Sequence, residues 1–270
     1  MKNGRIGFFV RPGQTDVLAS AVNAALSSGF SYIVAQTGEY YDSAVKSDAI
    51  DSSAVDFIVA IGGDGTILRA ASVAVRHSLP ILGVNTGRIG FLSETDINSL
   101  EEVLKNIQQG DYRFEDKLML ECSVDGGTRR ICLNDVMLYK NRFSGVTQIS
   151  VSVDGYDAGT LFADGVVVAT PTGATGYSIS AGGPVIAKGI DAAVITPICP
   201  HSLTMRPIVT SKDADIRFKM ISDGFLSLDG MFCENLESGS EVCVSACDER
   251  ARFIRLSDKN LFTLIKNKLS

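Results

Sequence analysis

The stretch Ile58-Val59-Ala60-Ile61-Gly62-Gly63-Asp64-Gly65-Thr66 decides the fold. Residues 55–61 are apolar at every position except Asp56, which is typical of a strand buried on both faces of a sheet. Three glycines and one carboxylate follow, and a helical pattern then runs from Thr66 to His77. Ligands of open α/β sheets bind beyond the carboxyl ends of strands, where a helix N-terminus offers N–H groups to a phosphate. The stretch predicts a phosphate-binding loop; an Asp-Gly turn without a ligand is the alternative.

Elements on either side of this loop indicate a doubly wound, Rossmann-like α/β domain. Short apolar runs predict strands over 5–10, 31–36 and 80–84, and helical spacing of apolar residues predicts a helix over 16–28. Strands that alternate with helices favour a parallel sheet with helices on both faces.

Two further helices are expected at the ends of this domain. An apolar stripe over 100–107 is expected to start at a cap formed by Asn98 and Glu101 and to stop at Gly110. Helical spacing returns over 258–269, and this last helix is expected to pack back on the first domain.

From about residue 112 the sequence becomes β-rich. Short segments of Val, Ile and Thr recur between turn signals such as Asp125-Gly126 and Asp154-Gly155. We therefore expect an α/β domain over 1–111 and 250–270, and a β-rich domain over 112–249.

Composition excludes several classes of protein. The chain has 270 residues and a net charge of −6, and because no Lys/Arg block stands out, nucleic-acid binding is not expected. No apolar run approaches the ~20 residues that span a bilayer, and the N-terminus has no signal-peptide pattern, so we expect a cytoplasmic protein. Six cysteines without a C-x-x-C pair indicate reduced, mostly buried thiols rather than a zinc site. Of the two histidines, His77 is expected at a helix C-terminus and His201 in a packed structural position.

Two more segments carry groups suited to ligand binding. Residues 85–92 form a second glycine-punctuated loop after a strand, and two such loops after successive strands could line one cleft. Residues 170–180 contain eight hydroxyl-bearing residues or glycines, which suit an uncharged polar ligand such as a ribose, and Tyr177 could stack on a base. A Thr/Gly connector is the alternative for this second segment.

Taken together and in order, these motifs resemble the bacterial NAD kinases, which make NADP from NAD and ATP. The resemblance covers roughly residues 55 to 269. Gly62 to Thr66 alone would also fit lipid kinases and 6-phosphofructokinases. The Thr-Pro-Thr-Gly and Pro-His-x-Leu elements narrow the resemblance to NAD kinases. The motifs that carry it are Gly62-Gly63-Asp64-Gly65-Thr66, Asn85-x-Gly87-x-x-Gly90-Phe91-Leu92, Asn134-Asp135, Asp164-Gly165, Thr170-Pro171-Thr172-Gly173, Ser180-Ala181-Gly182-Gly183-Pro184, Pro197-Ile198-Cys199-Pro200-His201 and Arg206-Pro207.

The resemblance implies a two-domain enzyme with its active site between an α/β domain and a β-rich NAD-binding domain. It also implies a homo-oligomer, typically a tetramer, in which a neighbouring subunit helps to complete the NAD site. Asp64 would be the general base that accepts a proton from the 2′-hydroxyl of the adenosine ribose. The ATP phosphates would approach Gly62, Gly63, Gly65, Thr66 and Gly87. The NAD site would be formed by Asp64, Gly65, Asn134, Asp135, Asp164, Thr172, Thr175, Gly176, Tyr177, Ser178, Ile179 and Ser180.

This chain departs from the family pattern at four positions. The family usually has Glu at Asp135, Ser and Ala at Ala174 and Gly176, and often Gln at Met231; Arg is common in some members at Phe162. These differences affect the finer contacts and the choice between NAD and NADH, not the reaction class. Mg²⁺ is expected to arrive with ATP, without a dedicated metal site in the protein. A lipid or sugar kinase of the wider superfamily and a non-catalytic dinucleotide sensor remain as alternative functions, and polyphosphate as an alternative donor.

Overall fold

A computed structural model describes residues 4–11, 13–34, 55–87, 90–141, 145–202 and 205–257, together with Thr263 and Lys266. The chain divides into two compact units. The first unit comprises residues 1–117 and 251–270, and the second unit comprises residues 118–250.

The first unit contains seven strands and three α-helices among its described residues. In chain order they are β1 (Arg5–Val10), α1 (Thr15–Ser27), β2 (Ser31–Val34), β3 (Phe57–Ile61), α2 (Asp64–Arg76), β4 (Ile81–Asn85), β5 (Thr95–Asp96), α3 (Leu100–Gln109), β6 (Arg113–Lys117) and, last, β19 (Ala251–Arg255); a 3₁₀ turn (Ile97–Ser99) precedes α3.

These strands form one sheet in the order β2-β1-β3-β4-β19-β6, with β5 beside β4. Every pairing from β2 to β19 is parallel, and only β6 runs antiparallel to its neighbour β19. The expected doubly wound α/β fold is confirmed. Because β1 leads to β2 on one side and lies against β3 on the other, the strand order reverses there, which is where open α/β sheets form a ligand crevice.

Helices cover both faces of this sheet. Ala21 and Ala25 of α1 and Leu104 of α3 are buried in one core cluster with Phe8 and Val59. Helix α2 packs against β3, β4 and β19 and is absent from that cluster, so it covers the opposite face. The apolar, non-alternating strands of the sequence are therefore explained by burial on both sides.

Two helix starts differ from their expected positions. Helix α2 begins at Asp64 rather than Thr66, so the carboxylate belongs to the first turn of the helix. The expected cap by Asn98 and Glu101 is wrong, because the side chain of Asp96 accepts hydrogen bonds from the N–H groups of Asn98 and Ser99. Gly110 ends α3 with a left-handed φ of 86°, as expected. The helix expected over 258–269 lies outside the described residues apart from Thr263 and Lys266.

The second unit is built from antiparallel strands. They are β7 (Leu120–Val124), β8 (Arg130–Cys132), β9 (Asp135–Lys140), β10 (Thr147–Val153), β11 (Tyr156–Ala163), β12 (Gly165–Ala169), β13 (Ala192–Ile198), β14 (Ile208–Ser211), β15 (Ile216–Met220), β16 (Gly224–Leu228), β17 (Met231–Leu236) and β18 (Glu241–Ala246), with a 3₁₀ turn (Gly173–Thr175) and the short helix α4 (Tyr177–Ser180) after β12. One sheet has the order β11-β10-β15-β18-β7-β8 and the other has the order β14-β13-β12-β9-β16-β17.

Apolar side chains from both sheets meet in a single core. Leu138 and Val168 belong to the sheet that runs from β14 to β17, here called the second sheet of this unit. They are buried in one cluster with Ile149, Phe218 and Val242 of the first sheet, which runs from β11 to β8. Alternate residues point into this core, as the burial of β15 shows most clearly. The β-rich character expected for this part of the chain is confirmed.

The outer face of the second sheet is covered by the segment that follows β12. Ala174 and Ile186 of this segment pack against Val194 of β13. This cover explains why β12 and β13 are buried at all positions although only alternate residues face the inner core. The outer face of this sheet therefore packs against the segment through apolar side chains.

Cysteines and histidines follow the sequence expectations only in part. All six cysteines are free, but only Cys122, Cys132 and Cys247 are buried. His77 lies at the C-terminal end of α2, as expected. The expectation of a packed His201 is wrong, because the residue is exposed; its backbone N–H donates to the Phe162 carbonyl at 2.8 Å. Within the described ranges, no helix is long and apolar enough to cross a membrane.

Truncation of Leu138 tests the core of the second unit. Leu138 is fully buried in the cluster that joins the two sheets, so Leu138→Ala should lower the free energy of unfolding by about 2–5 kcal/mol. Val209→Ala, on edge strand β14 of the same sheet and 51% exposed, is the control and should cost less than about 1 kcal/mol. Urea unfolding followed by circular dichroism measures both; equal losses would contradict the assigned core.

Candidate functional site

The glycine loop after β3 is shaped for close backbone approach. Gly62 has a φ of 154°, and a Cβ at this position would lie 2.8 Å from the Thr66 Cβ. Its N–H donates to the Val84 carbonyl at 2.9 Å, which holds the loop against β4. Gly63 and Gly65 are exposed and have open space where a side chain would be. The first turn of α2 therefore leaves its backbone N–H groups accessible to a ligand.

Asp64 is fixed by a second loop of the first unit. Its Oδ2 accepts a hydrogen bond from the N–H of Phe91 at 3.1 Å, and its Oδ1 accepts one from the N–H of Leu92 at 3.2 Å. A Cβ on Gly90 would overlap this carboxylate. The side chain is half-buried at the start of α2, where the helix dipole favours a negative charge.

The loop after β4 lies beside the glycine loop because β3 and β4 are adjacent strands. Asn85 is buried, and its Oδ1 accepts a hydrogen bond from the N–H of Gly87 at 3.0 Å. Its Nδ2 is buried without a hydrogen-bond partner. Gly87 is exposed. The structure thus brings Gly62, Gly63, Asp64, Gly65, Thr66 and Gly87 to the carboxyl ends of two neighbouring strands.

In the second unit, Asn134 and Asp135 are anchored by Asp229. The Asp229 carboxylate accepts hydrogen bonds from the N–H groups of Leu133, Asn134 and Asp135 at 3.0, 2.7 and 3.2 Å. Asp229 is not among the expected site residues; from the sequence it is noted only in the Asp229-Gly230-Met231 stretch, where the family often has Asp-Gly-Gln. Its φ of 49° places it in the tight connection between β16 and β17, from which it reaches β9.

Two buried carboxyl groups therefore lie together. Burial and the nearby Asp229 raise the pKa of Asp135 to about 7. Burial also raises the pKa of Asp229, although its three backbone N–H donors oppose that rise. Since those donors stabilise a charge on Asp229, the proton of the pair is better placed on Asp135.

The hydroxyl-rich segment is tied to the same place. Thr170 is fully buried; its Oγ1 donates to the Leu133 carbonyl at 2.6 Å and accepts from the N–H of Gly173 at 3.0 Å. A Cβ on Gly173 would overlap the Asn134 carbonyl, and the position of a Cβ on Gly176 lies 3.5 Å from the Asn134 Nδ2. The Asn134 Oδ1 is buried without a partner. Asn134, Asp135 and Gly176 thus form one continuous surface.

Tyr177 and Asp164 mark the other end of this surface. The Tyr177 side chain is 45% exposed, and partial burial together with the nearby Tyr139, Cys199 and Asp164 raises its pKa. The carboxylate of Asp164 pairs with the Lys140 Nζ at 2.6 Å. An exposed aromatic ring beside a fixed charge pair suits the stacking of a flat polar ligand.

Other expected residues of this segment differ in exposure. Ser178 is fully buried, and its hydroxyl lies 2.9 Å from the Thr196 Oγ1. The Thr175 hydroxyl donates to the Thr172 carbonyl at 3.0 Å. Thr172, Thr175 and Ile179 are half-buried and Ser180 is exposed. In the part of the chain that the structure describes, no group of three or more His, Cys, Asp or Glu side chains could hold a metal ion.

Comparison with known proteins accounts for both units. The family model described as ATP-NAD kinase N-terminal domain matches residues 16–112, and the one described as ATP-NAD kinase C-terminal domain matches residues 133–256. An NAD kinase of Clostridium botulinum (strain Kyoto / Type A2) is 37% identical over 252 residues, covering 89% of each chain. An NAD kinase of Gemmatimonas aurantiaca is 34% identical over 279 residues, covering 100% of this chain and 96% of its own.

A solved structure agrees with these relatives. The crystal structure of yeast NADH kinase complexed with NADH superposes with a TM-score of 0.84 at 25% identity, covering 98% of this chain and 86% of the yeast chain. Matches of the sequence and of the fold therefore point the same way, and the chain belongs to the NAD kinase family of phosphotransferases.

Proposed function

We propose that this chain transfers the γ-phosphate of ATP to the 2′-hydroxyl of the adenosine ribose of NAD, giving NADP, with Asp64 as the catalytic carboxylate. The observation that carries the proposal is the Asp64 side chain, fixed by two backbone N–H groups beside a glycine loop at a helix N-terminus. A carboxylate next to a phosphate-binding loop is electrostatically unfavourable unless it handles a proton. The family membership of both units supports the same reaction.

Asp64 would orient the attacking hydroxyl and accept its proton. Phosphoryl transfer passes through a loose transition state, so the protein acts mainly by positioning and by stabilising charge. The Asp64 carboxylate would accept a hydrogen bond from the ribose hydroxyl. The N–H groups at the start of α2, with Gly62, Gly63, Gly65, Thr66 and Gly87, would receive the ATP phosphates.

The second unit would hold NAD. Asn134 and Asp135 would bind ribose hydroxyls, because the unpartnered Asn134 Oδ1 can accept a hydrogen bond and a protonated Asp135 can donate one. Tyr177 would stack on a base, with Asp164 close by. Ser178 would stabilise the segment through its buried hydrogen bond with the Thr196 hydroxyl rather than touch the ligand. The remaining proposed contacts are Asp64, Gly65, Thr172, Thr175, Gly176, Ile179 and Ser180.

Mg²⁺ would enter with ATP. Its hard oxygen ligands would be the phosphate oxygens, and bound in this way it supplies charge neutralisation during transfer.

We further propose that the protein is cytoplasmic and self-associates, with a tetramer as the expected form. Six free cysteines support a reducing compartment. Exposed apolar side chains on the edge strands of the second sheet support self-association: Ile208 and Val209 on β14, Met231 and Phe232 on β17. A lipid or sugar kinase and a dinucleotide sensor are not favoured, because both units match NAD kinase families.

Asp64→Asn tests the catalytic carboxylate. The amide keeps the shape and one acceptor, and a positioned general base contributes about 10²–10⁴-fold, so kcat for NADP formation should fall at least about 100-fold. Loss of one hydrogen bond should cost about 1 kcal/mol of stability. Circular dichroism checks that the variant is folded. Asp16→Asn, in the first turn of α1, is the control and should keep full turnover; near-normal turnover of Asp64→Asn would make Asp64 a turn residue.

Tyr177 tests the NAD surface of the second unit. Stacking of a base on an aromatic ring is worth roughly 1–3 kcal/mol, so Tyr177→Ala should weaken NAD binding about tenfold or more. Tyr177→Phe keeps the ring and should have a small effect. Isothermal titration calorimetry with NAD measures both variants. Equal losses in the two would assign the role to the hydroxyl instead.

Asp135→Asn tests the buried carboxyl pair through the pH dependence of stability. The pKa of Asp135 is about 7 in the folded protein, against about 3.9 when unfolded. Ionising Asp135 in the folded protein therefore lowers the free energy of unfolding. This cost is absent below pH ~4, grows as the pH rises through this window, and is complete above pH ~7. Asp135→Asn should raise the free energy of unfolding at pH 8 by up to about 4 kcal/mol and leave it unchanged at pH 4.

Urea unfolding of the ligand-free protein at pH 4, 6 and 8 measures this dependence. Asp213→Asn is the control, since Asp213 is an exposed carboxylate of the same unit and its removal should give no pH-dependent gain. A gain of the same size at pH 4 and pH 8 would show that Asp135 is ionised normally in the folded state.

A further inference from the structure

We propose that Arg255 is a positioning residue for Asp64: it holds the loop over 90–94 so that two backbone N–H groups of this loop keep the Asp64 carboxylate in its reactive orientation. The inference rests on the proposed role of Asp64. All groups involved belong to the first unit, although Arg255 is far from Asp64 in the sequence.

A short chain of hydrogen bonds connects the two side chains. The Arg255 Nη1 donates to the Leu92 carbonyl at 3.1 Å. The N–H of the same residue, Leu92, donates to the Asp64 Oδ1 at 3.2 Å, and the N–H of Phe91 donates to the Asp64 Oδ2 at 3.1 Å. A single residue of the loop therefore separates the guanidinium from the carboxylate, and a shift of the Leu92 carbonyl would turn its peptide neighbours away from Asp64.

The guanidinium is itself held rigidly. It is 5% exposed, its Nε donates to the Glu115 Oε2 at 2.7 Å, and its Nη1 lies 3.3 Å from the Glu94 Oε2. Its plane also lies over the Phe253 ring, 5.1 Å from the centroid. Because the geometry of arginine is a planar fork, these partners fix where its N–H groups point.

Glu94 binds the other end of the loop into the same network. Its Oε1 accepts hydrogen bonds from the N–H groups of Leu256 and Ser257 at 3.0 and 3.2 Å, and its own N–H donates to the Gly83 carbonyl at 2.7 Å. Its side chain is 2% exposed. The loop is thus fastened to β4 on one side and to the end of β19 on the other.

Arg252 provides a matched comparison on the same strand. It also pairs with a carboxylate of β6, since its Nε donates to the Asp116 Oδ1 at 2.8 Å, and it lies over the Phe114 ring at 5.3 Å. Its side chain is half exposed, and its partners are Asp116 and the Phe114 ring, not the loop over 90–94. Both arginines therefore connect β19 to β6, but only Arg255 is bonded to the loop that holds Asp64.

Arg255→Lys is the variant that separates positioning from folding. Lysine keeps the charge beside Glu94 and Glu115, but as a point charge it loses the fork that bonds the Leu92 carbonyl and the carboxylates together. Small misplacements of reacting groups are costly, so kcat for NADP formation should fall about tenfold or more. The KM values for NAD and ATP should stay within about threefold, because ligand contacts are unchanged.

The experiment measures kcat, both KM values and amide hydrogen exchange of the Phe91 and Leu92 N–H groups in the full chain. Arg255→Lys should lower kcat and speed exchange at both amides, whereas the control Arg252→Lys should change neither. Glu115→Gln, which leaves the arginine but removes the charge at its Nε, is a second variant and should give the same pattern with a smaller loss. Normal kcat together with faster exchange in both variants would overturn the proposal.

A double-mutant cycle distinguishes this inference from the role of Asp64 itself. In an Asp64→Asn background the carboxylate to be positioned is gone, so Arg255→Lys should reduce the residual kcat by less than about twofold. A loss as large as in the native background would show that Arg255 acts elsewhere and would overturn the proposal. Full activity of Asp64→Asn alone would instead disprove the catalytic role of Asp64, whatever Arg255 does.

Discussion

The hydrogen bonds from two consecutive backbone N–H groups to the Asp64 carboxylate are the constraint around which the first unit is organised. They oblige the loop after β4 to pass close over the start of α2, which in turn leaves no room for a side chain at Gly90. Backbone dipoles and the helix N-terminus also stabilise the half-buried charge of Asp64. The charge stays in place while the backbone around it remains open to anions.

The second unit uses the same device with a different electrostatic result. Asp229 accepts three consecutive backbone N–H groups, as Asp64 accepts two, and so fixes the Asn134-Asp135 pair. A second carboxyl group, that of Asp135, lies near Asp229, and burial of Asp135 together with this proximity raises the pKa of Asp135 to about 7. The Asp64 carboxylate therefore serves as a hydrogen-bond acceptor at the phosphate loop. The Asp229 carboxylate instead helps to keep Asp135 protonated, so that Asp135 can donate a hydrogen bond.

Local patterns in the sequence predicted the elements, the family and the glycine loop well. Strand β1 is found over the expected residues, and the apolar run that ends at Ile61 is the buried strand β3. Periodicity reports which residues of one element are buried, but it does not report which distant strand lies alongside. The roles of Asp229 and Arg255 depend on the pairing of β16 with β9 and of β19 with β4, and such pairings have no local signal. The cap at Asp96 was missed for a smaller reason: a 3₁₀ turn precedes α3 and moves the cap upstream of the expected residue.

The antiparallel pairing of β6 with β19 makes the whole second unit an insertion between two neighbouring strands of one sheet. On the ribosome, β19 is made after the strands that it joins, so Arg255 reaches Glu94 and Glu115 only at that late stage. The second unit can close first, because its own ends meet where the Cys247 N–H donates to the Met119 carbonyl at 2.9 Å. Once the second unit has closed, the long chain between β6 and β19 acts as a short loop. Pairing β19 with β6 then costs little chain entropy. The loop over 90–94 is made early, but its hydrogen bond from Arg255 can form only after the last strand of the sheet has been made.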